Sequence, residues 1–169
     1  MSSVGILFYA LETLAALAVI GMLFARNVFY GALLLLMCLL CVAGLYVLAF
    51  AEFVAVSQIL VYAGGIMVVI IFGIMLTAKM AGKPLVVTHG NVWSGLLAGI
   101  ATLTALIYFF SKNIFIASGT PTYDRQSLRK IGVNLMSEYV LPFELAGILL
   151  LITLVGAAVV ISFVKSKNT

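Results

Sequence analysis

Few side chains in this 169-residue sequence are equipped for chemistry, and most of them sit in surroundings that discourage it. Cys38 and Cys41 form a C-x-x-C pair, the spacing of a redox thiol couple or of half a metal site. They lie in the middle of an apolar run with no second pair of ligands, so we read them as packing residues, since free cysteine behaves as a small buried hydrophobe. His89 is the one histidine, so no histidine pair is available to clamp a haem, and neither a P-loop nor a G-x-G-x-x-G fingerprint is present. We therefore expect no catalytic residue, no metal ligand set and no bound cofactor in this chain.

The carboxylates are more informative. An ionisable group at bilayer depth costs about 2.5 to 3.5 kcal/mol on insertion scales, and it usually marks an ion or proton path. Glu12, Glu52 and Glu144 all lie in or beside long apolar runs. Glu52 and Glu144 fall near helix starts, where the macrodipole favours a negative charge whatever the function. Glu12 lacks that explanation and should face a partner helix or a hydrated cavity.

What must position these groups is set by composition. Hydrophobic residues make up 65% of the chain and charged residues 8%, with mean hydropathy +1.31. Lipid leaves backbone groups unsatisfied unless each segment closes its own hydrogen bonds, and these runs do not alternate as barrel strands do. At about 20 apolar residues per span, five membrane helices are expected, over about residues 4–24, 28–50, 53–77, 91–111 and 140–163. The reading is thus an all-α integral membrane protein forming a single domain over residues 1–169, with its longest loop at about 112–139. The start "MSSVGILFYALETLAAL" lacks a basic n-region and carries Glu12, so it is read as a first membrane helix rather than a secretory signal.

The nine basic residues exceed the five acidic ones only modestly, which is no indication of a nucleic-acid partner. If five spans alternate, Arg26, Lys79, Lys83, Lys165 and Lys167 share one side with no acid among them. The other side holds Glu52 and a loop in which Lys112, Arg125, Arg129 and Lys130 are partly offset by Asp124 and Glu138. The positive-inside rule then places the N-terminus outside and the C-terminus in the cytoplasm. In "AKMAGKPLVVTHGN" glycine and proline break the helix, and Trp93 just beyond fits an interfacial anchor. The 112–139 stretch has turn signals at "SGTP" and fits a short interfacial helix or a segment lying on a partner.

One stretch remains, "QILVYAGGIMVVIIF", residues 58–72. On a regular helix Gln58, Tyr62, Gly65, Val69 and Phe72 share one face, and Ser57, Val61, Gly64 and Val68 share its neighbour. Paired glycines allow close helix packing, as the G-x-x-x-G pattern of Gly95 and Gly99 would in the fourth span, and they also lower the barrier to a π-bulge. Composition leaves both open.

The longer segment "AEFVAVSQILVYAGGIMVVIIFGIML" closely resembles the third helix of the family of subunit J of bacterial NADH:quinone oxidoreductase, respiratory complex I, and of its mitochondrial homologue. "ARNVFYGALLLLM" is similar to the opening of that family's second helix, and "YVLPFELAGILLLITLVGAAVVI" to its last. The resemblance implies a membrane-arm subunit that helps couple quinone reduction to proton translocation. It implies a π-bulge around Tyr62, Gly64 and Gly65, with Val68 and Phe72 on the following turns, whose conversion to α-helix changes a hydrated path. Glu12, Glu52, Gln58, Tyr62 and Glu144 are the candidates for that path.

The implied partners are quinone-site and antiporter-like subunits in the lipid bilayer, and the implied location is a bacterial inner membrane, with FMN, iron–sulfur clusters, NADH and quinone held by the complex rather than by this chain. Two departures stand out: Gln58 replaces a glutamate that many relatives carry, and Asn27-Val28-Phe29 replaces Asn-Pro-Val. Glu144 matches the family's last-helix glutamate, whereas Glu12 matches nothing in it. The alternatives are a small secondary transporter, which would show inverted-repeat symmetry, and the same subunit in a related complex fed by another donor.

Overall fold

A computed structural model describes residues 3–82, 92–112 and 127–167. It is helical throughout, with no β-strand among the described residues: α1 (Ser3–Phe24), α2 (Val28–Leu48), α3 (Glu52–Ser57), a π-helix (Gln58–Met67), α4 (Val68–Ala81), α5 (Val92–Lys112), α6 (Ser127–Met136) and α7 (Val140–Lys167). Among the described residues five stretches are long and apolar enough to cross a bilayer: Ser3–Phe24, Val28–Leu48, Glu52–Met80, Trp93–Lys112 and Val140–Phe163. The protein is thus an all-α, multi-pass membrane protein, and its spans fall where hydropathy predicts them. His89, Lys83, Asp124, Arg125 and the "SGTP" turn lie outside the described residues.

The helix boundaries follow from local chemistry. Asn27 adopts an extended conformation (φ −95°, ψ 124°), and its side-chain oxygen accepts a hydrogen bond from the Phe29 N–H at 3.0 Å. That cap starts α2 without the proline that Asn-Pro-Val would supply, because the first helical N–H has no intrahelical partner in either case. Between α2 and α3 the chain reverses in three residues. Phe50 takes the left-handed conformation at φ 57°, and the Ala51 N–H donates to the Tyr46 carbonyl at 3.0 Å, satisfying an orphan acceptor at the end of α2. Gly82, also left-handed at φ 63°, closes α4.

Two compact units divide the chain between Thr122 and Tyr123. In the first, α2 is the hub: it packs along α1 on one side and against α3, the π-helix and α4 on the other. The buried residues are Ala18, Ala32, Cys41, Ala43, Ala55, Ala63 and Met67, so helices meet mainly through alanines, as expected where lipid removes any hydrophobic reward for large side chains and close backbone approach decides. Cys41 is part of this core and Cys38 is half-buried, which matches the packing role expected for the C-x-x-C pair. From Trp93 to Lys112, every residue of α5 is exposed.

In the second unit α6 packs on α7 with Ile131 and Leu135 half-buried, and three residues join them. A short helix thus occupies part of the 112–139 loop, as the sequence pattern implies.

The closest approach in the hub sets a test. A methyl at Gly44 would come within 2.9 Å of Leu11 Cδ1. Gly44→Val should therefore overpack the α1–α2 contact, costing about 1–3 kcal/mol. The amount of subunit recovered after mild heating should fall, and Leu11→Ala in the same chain should restore most of it, since the two sites share one contact. Equal loss in the single and double variants would show that Leu11 is not the obstacle.

Candidate functional site: a π-helical stretch in the third span

Residues Gln58–Met67 form ten residues of π-helix inside one continuous membrane span. In such a helix each N–H reaches back five residues rather than four, so every backbone group stays bonded while the turn widens. Segments of this kind inside α-helices are rare and are frequently functional.

Burial traces which way the widened turns point. Facing α2 are Ala63 and Met67, 5% and 2% exposed, with Gln58, Ile71, Ile74 and Ala78 half-buried along the same line. The step from Gln58 to Ala63 is five residues, where a regular helix takes three or four. That step corrects the face drawn from 3.6-residue periodicity. Gln58 goes with Ala63 and Met67 toward α2, while Gly65, Val69 and Phe72 are exposed; Tyr62 is half exposed. Gly64 and Val68 are exposed as well. The paired glycines therefore leave the contact with α2 to Ala63 and Met67.

Each glycine instead lies over a carbonyl of its own helix. A methyl at Gly64 would sit 3.2 Å from the Ile59 oxygen, and one at Gly65 would sit 3.5 Å from the Leu60 oxygen. The second is ordinary contact; the first is tight. Ala63 and Met67 were not candidates from sequence, and the signal that finds them is the five-residue step from Gln58, invisible to a helical wheel.

The carboxylates are spread out. Glu52 is exposed in the first turn of α3, on the same span as Gln58. Glu12 is exposed near the middle of α1, and Glu144 is exposed on α7, in the second unit. Beside the end of the π-helix an open groove of about 440 Å³ runs between Leu23, Asn27 and Gly31 on one side and Met67, Ile70 and Ile74 on the other. Its lining is apolar apart from Asn27, whose side chain is engaged in the α2 cap. Among the described residues no three His, Cys, Asp or Glu side chains come together.

Against known proteins, the family described as NADH-ubiquinone/plastoquinone oxidoreductase chain 6 matches residues 18–160. The chain belongs to that family. It is 36% identical to the NAD(P)H-quinone oxidoreductase subunit 6 of the organellar chromatophore of Paulinella chromatophora, over 91% of this chain and 76% of the relative. It is 38% identical to the chloroplastic subunit 6 of Nephroselmis olivacea, over 89% of this chain and 88% of the relative. With chain 6 of Synechocystis sp. it shares 35% identity over 90% and 77%. The family match takes in α2, the whole third span and Glu144, and it begins after Glu12.

For a chain 6 protein the inequality between the glycines is open to direct measurement. Gly64→Ala and Gly65→Ala gain the same α-helical propensity, about 1 kcal/mol each. Only the first also presses a methyl against a carbonyl of the π-turn. Single-particle imaging of the assembled protein should therefore find fewer molecules with a π-helical third span for Gly64→Ala than for Gly65→Ala. The opposite order would place the constraint outside this helix.

Proposed function

We propose that this chain is a membrane-arm subunit of a proton-pumping NADH:quinone oxidoreductase, and that its third span switches between π and α forms to open and close a hydrated path. The observation that carries this reading is the ten-residue π-helix inside a membrane span of a chain 6 protein. Returning one turn to α geometry rotates everything that follows by about 100°, one residue's worth of helix. Val68 and Phe72, both exposed beyond the π-helix, are carried by that rotation. A path walled by these apolar groups in one form is lined by different side chains in the other. Gln58 holds water by hydrogen bonding without titrating, Tyr62 supplies a hydroxyl, and Glu52 and Glu144 are the groups able to bind a proton.

Redox chemistry is assigned to other subunits, with FMN and iron–sulfur clusters receiving electrons from NADH and passing them to quinone. The partners are the quinone-site and antiporter-like subunits of the same complex. We place the chain in a bacterial inner membrane with its N-terminus periplasmic and its C-terminus cytoplasmic. Cysteines introduced at Lys83 and Lys167 should then react with an impermeant reagent from the cytoplasmic face, and one at Asp124 from the periplasmic face. The reverse pattern overturns the orientation.

The switch itself is tested by Gly65→Val, which crowds the helix with a β-branched side chain and fills a face turned away from α2. NADH oxidation by an artificial acceptor should persist while quinone reduction and proton pumping fall together. Tyr62→Phe removes one hydroxyl, worth on the order of 1 kcal/mol, so pumping should drop about fivefold at most. A Gly65→Val complex that assembles and pumps at the unmodified ratio reduces the glycines to packing residues.

A further inference from the structure

Glu12 is the ionisable group that neither the family match nor the packing of this chain explains. It lies 9 residues after Ser3 and 12 before Phe24, so about 14 Å and 18 Å of helix separate it from the two ends of its span. Its side chain is exposed, while Leu11, Ala15 and Ala18 turn an adjoining side of α1 toward α2. Around Glu12 on the same face stand Phe8 and Tyr9 one turn before, and Ala16 and Val19 one and two turns after. The neighbouring hydroxyl gives no help, because Thr13 Oγ1 donates to its own backbone at Tyr9 (2.8 Å) and Ala10 (3.0 Å).

Elimination narrows where a counter-charge for Glu12 could come from. No charged residue occurs in α2, the helix packed along α1. Arg26, the nearest cation in sequence, is 14 residues away, about 21 Å along a helix axis. Every other Lys, Arg or His in the sequence lies at the end of a span or between spans. Among its described residues this chain therefore offers no cation at mid-bilayer depth, and the same holds for a second copy of it. Lipid headgroups are at the wrong depth. Intramembrane carboxylates face a protein interior or water and pair with a complementary group.

We propose that α1 docks through its Glu12 face on a membrane helix of a different subunit, which presents a lysine, arginine or histidine at mid-bilayer. The short side chain of Ala16 lets the two backbones approach. This interface rests on the reading that the chain is part of a multi-subunit complex, and it adds that Glu12 holds that complex together rather than lining the proton path.

The test uses the whole complex in its native membrane. A photo-crosslinking amino acid at Ala16 should couple to one other membrane subunit, within about one helical turn of a Lys, Arg or His. Glu12→Gln leaves that cation unpaired in the membrane, so recovery of this subunit in the complex should fall at least tenfold. Glu12→Asp should restore part of it, and Glu12→Leu combined with an apolar replacement of the crosslinked cation should restore most of it. Adducts with lipid alone, in an intact complex, overturn the interface. Normal assembly of Glu12→Gln with reduced pumping also overturns it and assigns Glu12 to a hydrated path. If the chain is recovered only with itself, the multi-subunit reading fails as well.

Discussion

Backbone hydrogen bonding inside lipid is the constraint on which this structure turns. With no water to satisfy a freed N–H or C=O, a membrane span tolerates neither a break nor a loop facing the bilayer. A π-helix is the exception that keeps every group bonded while changing the helix's face. Gln58–Met67 uses that exception over ten residues, and of its two glycines Gly64, with the Ile59 carbonyl 3.2 Å from where its methyl would be, has the less room for a side chain. The rotation proposed for the third span follows from the same geometry, since one kind of ladder can be exchanged for the other without exposing the backbone.

Around that segment the fold is built for proximity rather than bulk. Alanines at 18, 32, 43, 55 and 63 bring α1, α2 and the third span close together, with Met67 the one large buried side chain among the described residues. Large apolar side chains point outward along every span, onto surface that lipid or neighbouring subunits cover. The site and the scaffold therefore use opposite devices: small residues lock α2 against its neighbours, and glycines on the far side of the third span leave space for change.

Much of this was legible in the sequence, for identifiable reasons. Five spans follow from the length of apolar runs, because the bilayer imposes its thickness on all of them, and the packing of Cys41 follows from the lack of companion ligands. Position of the π-helix came from resemblance to a family and not from periodicity. A 3.6-residue wheel cannot register a five-residue step, and so it placed Gly65 and Phe72 with Gln58 when burial separates them. The missing proline at the start of α2 looked like a loss from sequence; the Asn27 cap shows that the helix start never depended on it. Ala63 and Met67 carried no sequence signal because apolar residues in an apolar helix do not reveal which face is covered.

The π-helix also bears on how chain length can change over evolutionary time. Inserting or deleting one residue in an ordinary membrane helix turns every later side chain to a new direction, and with no loop in the bilayer to absorb the change, packing is lost downstream. The third span is different, because its wide turns already hold surplus residues between Gln58 and Met67. Losing a residue there tightens the ladder toward i→i+4 while Ile71, Ile74 and Ala78 go on facing α2. Such a deletion would be silent for folding and would remove the second form of the helix. Gaps among relatives at this one place would therefore separate lineages that keep a convertible third span from those whose span is fixed.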